Sequence, residues 1–198
     1  MHRLRKFGSD NLMAVPVPEN CAIAEHYRRN WLSSPEAFRL TKGRLDTLAS
    51  GFCVLMFPPY QRRAFWTYAT VHMSTEQHRI ETFLFAPERN DDLHVELLSM
   101  TASFHAASAP LGWAHVVNIG RPWLPESRCD RGLLSTPYLD GPNLEFLRSE
   151  GGSTQFLWFI PITQSEAEFR FSDGLEALEQ RFEQQQFNYL DPARPAVV

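Results

Sequence analysis

Lysine is almost missing from this chain. Lys6 and Lys42 are the only two among 198 residues, and arginine supplies the rest of the 19 cations. Against 23 acidic residues the formal net charge is −4. A general nucleic-acid binder needs a surplus of cations to neutralise phosphates, so no nucleic-acid partner is expected. Arginine forks suit carboxylates and aromatic faces, which tilts the expectation towards protein contacts. Cysteine is scarce too: Cys21, Cys53 and Cys129 are odd in number and far apart, which excludes a disulfide framework and points to a reducing compartment. Long apolar runs are absent. The longest, FLWFIPI at 156–162, is far too short to cross a bilayer, and no apolar segment follows the basic start MHRLRKFGSDNLM. A cytoplasmic protein with no membrane association is the expectation.

Chemical signatures are equally sparse. No C-x-x-C or H-x-x-x-H pair announces a zinc site, and HVELL and HRIE do not match the zinc-protease helix. There is no G-x-S-x-G elbow, no G-x-G-x-x-G and no G-K-[ST] ending, so neither a serine nucleophile nor a nucleotide cofactor has support. The best metal or thiolate triplet is His105, His115 and Cys129. Its gaps of ten and fourteen residues are wrong for ligands presented by one turn. Arg128 and Arg131 would favour a Cys129 thiolate, while Asp130 opposes it. A hydrolase or metal-dependent enzyme built on these three is the rival reading. The primary expectation is no catalytic set, no metal and no cofactor. Acidic pairs such as Glu166 with Glu168 read as solvated faces or caps.

What the chain does hold is aromatic and apolar mass. Residues that are 43% hydrophobic and 13% aromatic, with 15 Phe and 5 Trp, are enough for a sizeable core. Residues 1–18, with VPVPEN, read as an extended N-terminal extension, and 19–198 as one domain. A helix is predicted over 19–32, with Ile23, Tyr27 and Trp31 on one face and SSPEAF ending it. GFCVLMF at 51–57 reads as a buried strand. AFWTYATVHM alternates, with Phe65, Ala69, Val71 and Met73 on one face, and pairs with RIETFLFAP as a hairpin. Asn90 and Asp91 open a helix to about 106 with a stripe of Leu93, Leu97, Met100 and Phe104. HVVNI is a short strand, and 120–150 reads as long loops. EGGST then turns into the strand TQFLWFIPIT, where Pro161 should lie at an end or beside an edge. A last helix starts with Asp173 as cap and Leu175, Leu178 and Phe182 as stripe, before an extended tail YLDPARPAVV. The order of elements implies α+β, or a mixed sheet with helices on its faces.

Trp113, Arg121, Trp123 and Tyr138 cluster in or beside the loop-rich middle. Trp, Tyr and Arg dominate interface hot spots, so these four are the candidate partner-binding residues.

Two segments, LGWAHVVNIGRPWLPESRCDRGLLSTPYLDGPNLEFL and FLWFIPITQSEAEFRFSDGLEALEQRFEQQQFNYLDPARPAVV, together resemble the Suppressor of fused (SUFU) domain family in its compact bacterial form. GFCVLMFPP and FWTYATVHMS also fit. The resemblance implies a single α+β domain, with a mixed, largely antiparallel sheet and flanking helices, and no enzymatic activity. It implies a protein partner: animal relatives hold a transcription factor, and bacterial relatives are inferred to be immunity proteins that neutralise toxins. At 198 residues, the second lobe with which animal relatives clamp a peptide is not expected in this chain.

Overall fold

Strands that are apolar without interruption need cover on both sides, and that requirement organises this molecule. The computed structural model describes residues 11–43, 46–60, 63–107 and 109–198. In chain order they form β1 (Leu12–Val15), α1 (Ala22–Trp31), β2 (Glu36–Leu40), β3 (Cys53–Phe57), β4 (Trp66–Val71), β5 (Ile80–Ala86) and α2 (Asp91–Ala107). There follow β6 (Val116–Asn118), β7 (Cys129–Ser135), α3 (Pro142–Glu145), β8 (Phe146–Ser149), β9 (Gly152–Thr163), α4 (Gln164–Asp173) and α5 (Leu175–Gln184). The strands make one sheet in the order β1-β2-β3-β4-β5-β9-β7-β6, with β8 also on β9. Every ladder is antiparallel except β5 with β9. This is the α+β architecture expected from the order of elements.

One face of the sheet packs under α2 and the segment after β6, through Val54, Met56, Tyr68, Leu84, Leu98, Ile119 and Trp123. The other packs under α1, α4, α5 and the C-terminal tail, through Tyr27, Trp31, Phe83, Phe156, Ala167, Leu178 and Phe182. The middle strands β3 and β5 are therefore buried at every position. The β4–β5 hairpin forms with Trp66 opposite Ala86, but β4 is covered on both faces rather than one. Phe65, Ala69 and Val71 share the α1 face as expected, whereas Met73 joins the α2 face. His72 causes the switch: its φ of 65° breaks the pleat between Val71 and Met73.

The helix over 19–32 is α1, with Tyr27 and Trp31 buried and stacked 4.6 Å apart. Leu32, at φ 50°, closes it with its N–H on the Arg28 carbonyl, and Pro35 lies beyond. The expected N-terminal extension supplies an edge strand, since Leu12–Val15 pairs with β2; residues 1–10 lie outside the described residues. In α2, Asn90 caps by accepting from the Leu93 N–H at 3.3 Å. The stripe is rotated from the expected one. Met100 and Phe104 are largely exposed, and His94, Leu97, Leu98, Thr101 and His105 face inwards. Thr101 donates to the Leu97 carbonyl at 2.9 Å, whereas His94 packs its ring against Tyr68 and Trp123 with both ring nitrogens buried and unbonded.

The segment 120–150 is about half regular structure, because β7, α3 and β8 all fall within it. Gly132, which reads as a turn residue, sits mid-strand opposite Pro161; a Cβ there would lie 2.0 Å from the Phe159 ring. Pro161 lies two residues from the end of β9, where a residue without an N–H is expected. The parallel ladder with β5 ends at Trp158, so at Pro161 the strand bonds β7 alone, and Arg194 caps the Pro161 carbonyl at 3.1 Å. Arg194 thus covers the side of β9 that β5 leaves unpaired at Pro161. The last helix is two helices. Thr163 and Glu166 form a capping box for α4, and Gly174, not Asp173, caps α5. Glu166 is no solvated acid: it is fully buried and bidentate with Arg194 at 2.6 and 2.8 Å, and it accepts the Val197 N–H at 3.0 Å.

Candidate protein interface

The three residues of the enzyme reading do not meet as a site. His105 is buried with both ring nitrogens used, Nδ1 accepting from the Leu111 N–H at 2.9 Å and Nε2 bonded to the His78 carbonyl at 3.2 Å. His115 is exposed at the start of β6. Cys129 is buried in the α2-side core, and burial raises its thiol above the ordinary value. Among the described residues no group of three His, Cys, Asp or Glu is placed to hold a metal ion. No helix among them is long and apolar enough to cross a membrane.

The four candidate binding residues also separate. Trp123 is 1% exposed and packs 5.8 Å from the His94 ring, so it is architecture beneath the loop and does not reach a partner. Arg121 is tied to Glu96 of α2 at 2.6 Å. Glu96 lines a groove of about 540 Å³ between α2 and β6, into which Met100 and Phe104 project. Trp113 is 51% exposed ahead of β6.

Tyr138 stands in a different place. It belongs to the turn 136–141 between β7 and α3, closed by the Asp140 and Gly141 N–H groups on the Pro137 carbonyl at 3.0 and 2.9 Å. Asp140 anchors this turn from behind, accepting from Trp31 Nε1 at 3.0 Å and pairing with Arg63. Arg63 in turn lies against the rings of Trp31, Phe65 and Phe85. Burial lifts the Asp140 carboxyl above its ordinary value, against the pull of Arg63. Held this way, the turn displays Tyr138 and Leu139, 57% and 53% exposed. They flank a groove of about 460 Å³ whose floor is Leu133, Trp158 and Ile160 and whose far wall is Phe182 and Phe187. Phe182 and Phe187 stack at 4.1 Å, and Trp158 meets Tyr189 edge-on at 5.1 Å, so the groove is stiff as well as apolar. Glu179 and Glu183 of α5 form its rim, and Tyr138 donates to Glu179 at 2.6 Å. Of these residues the sequence reading singled out Tyr138 alone as a partner contact, not Leu139, Phe187 or the α5 acids. STPYLDGP carries the signal of a tight turn bearing two large apolar side chains.

The profile of the Suppressor of fused protein (SUFU) family matches residues 49–195. A crystal structure described as a SUFU homologue from Neisseria gonorrhoeae superposes with a TM-score of 0.80 at 29% identity, covering 89% of this chain and 95% of that one. Drosophila Suppressor of Fused matches with a TM-score of 0.68 at 12% identity, covering 96% of this chain but 53% of that one. A chain of a Sufu–Fu complex matches at 0.63 and 12%, covering 89% of this chain and 91% of that chain. The last two likenesses show the fold alone. Comparison with curated protein sequences gives no match.

Proposed function

Since the chain belongs to the Suppressor of fused family, we propose that it is a non-enzymatic protein-binding module whose contact surface is the groove beside Tyr138 and Leu139. The observation that carries this reading is a stiff apolar groove with two exposed anchors at its mouth and two carboxylates on its rim. Such a surface accepts a large apolar side chain flanked by Lys or Arg, because the rim acids steer and orient a basic partner while burial of the anchor supplies affinity. Trp113 is a second exposed contact on the β6 side. A solved Sufu–Fu complex supports a binding role for the fold. We assign the partner to the toxin class, which the module would neutralise by occupation; the net charge of −4 suits a basic toxin.

The test is capture from native lysate of the source cells with the unaltered chain and with Leu139→Asp. A protein retained by the first and reduced at least about tenfold by the second supports the groove, since a charge on an apolar anchor costs more than about 1.4 kcal/mol. Equal capture by both removes the groove, and no captured protein removes the binding reading. A captured protein that kills cells alone and is harmless when co-expressed with this chain identifies a toxin. A harmless captured protein removes the toxin assignment.

A further inference from the structure

Cys21 is the residue that opens α1, and its Sγ lies 3.8 Å from Nε2 of His72. The two are 51 residues apart in sequence, so the fold brings them together. His72 reaches this position through its left-handed backbone, at φ 65°, a conformation that histidine adopts uncommonly. Gly51 leaves room for the ring: a Cβ there would lie 3.0 Å from His72 Nδ1. Cys21 is half-buried and lines an open depression of about 470 Å³ together with Pro18, Asn20, Glu25 and Arg28. Burial works to raise the Cys21 thiol. The His72 bond, the Ala24 and Ile23 N–H groups at the helix start and the His72 charge outweigh it, so the thiol lies below its ordinary value. The bond to Cys21 raises His72, against burial, with the Cys21 and Glu81 charges adding to the rise. Cys53 and Cys129 go the other way: burial pushes Cys53 to about 12 and also raises Cys129.

We propose that Cys21, with His72 as its proton acceptor, is a site of oxidation by small hydroperoxides. His72 Nε2 takes the thiol proton. The thiolate attacks the terminal oxygen of the hydroperoxide, an S–O bond forms and the O–O bond breaks. Sulfur loses two electrons and the peroxide gains them. The departing alkoxide or hydroxide takes the proton from His72, leaving a sulfenic acid, a neutral imidazole and an alcohol or water. The depression admits a small peroxide to Cys21, whereas Cys53 and Cys129 are sealed in the two cores. The other ionisable groups around the pair are Glu25 and Arg28 on α1 and Cys53 on β3 beside Cys21, and Glu81 on β5 beside His72.

The experiment treats the folded full chain with hydrogen peroxide and a sulfenic-acid trap, and separately with iodoacetamide across pH, locating adducts by peptide mass spectrometry. Cys21 should be labelled at least about tenfold faster than Cys53 and Cys129 at neutral pH, with an alkylation midpoint below the roughly 8.5 of a free thiol. His72→Asn, which tolerates the left-handed backbone, should slow neutral-pH labelling about tenfold and move the midpoint up by about one unit. A native midpoint at or above that of a free thiol overturns the proposal, as does an unchanged rate in a folded His72→Asn chain. Should that variant fail to fold, thiolate absorbance of the unaltered chain against Cys21→Ser decides: a Cys21 signal appearing only above pH 8.5 overturns it.

Discussion

At the scale of single residues, burial changed the meaning of side chains more than any motif did. The three cysteines read alike as isolated thiols, and Cys129, flanked by arginines, drew attention. In the fold Cys129 is sealed in a core, and the thiol beside a histidine is Cys21. Nothing local to either position distinguishes them, because the distinguishing partner lies 51 residues away. Glu81 teaches the same lesson. In RIETFLFAP alternation sets it in line with Phe83 and Phe85, and it is fully buried. It accepts from Thr70 Oγ1 at 2.6 Å, the Met73 and Ser74 N–H groups and Ser74 Oγ. Burial outweighs these donors and lifts its carboxyl from 4.5 to about 7. A group raised on folding binds its proton more tightly in the folded state. Its contribution is therefore complete below about pH 4.5 and is lost as pH rises through about 7. Chemical denaturation of the unaltered chain and of Glu81→Gln over that window should show the unaltered chain losing stability relative to the variant as pH rises. A difference constant with pH would contradict it.

At the scale of elements, periodicity revealed strands and helices whose apolar faces are continuous and failed where polar residues carry structure. α1 and the β4–β5 hairpin were legible from spacing and alternation. The stripe of α2 was not, because His94, Thr101 and His105 take the inward positions that Met100 and Phe104 seemed entitled to. β7 was invisible because CDRGLLS opens with charges and holds a glycine, and that glycine is required by the Phe159 ring against it. The tail reads as extended, and it does lack regular structure. Arg194 nevertheless closes over Glu166, which at the same time caps α4. Arg194→Met leaves a buried carboxylate without its cation and should cost about 3–5 kcal/mol, measured as a lower denaturation midpoint with an unchanged slope. A loss below about 1 kcal/mol would mean that the tail is not part of the folded unit.

At the scale of the whole molecule, the α+β class and the family were both legible, the class from element order and the family from ordered soft motifs. Strand order was not, because pairing between distant segments leaves no periodic trace in sequence. Its most unusual feature is the one parallel ladder, Ile80–Phe83 against Gln155–Trp158, in an otherwise antiparallel sheet. Before it, β1 to β5 form a meander carrying α2; after it, β6 to β9 form a second unit with α4 and α5. The exposed Ala109–Pro110 connection joins them. The protein is thus a natural candidate for two-part complementation. Fragments 1–109 and 110–198, produced separately, should each lack cooperative unfolding, since each exposes strands that the other covers. Mixed in equal amounts they should regain the circular dichroism and unfolding transition of the intact chain, with the β5–β9 seam acting as the joint.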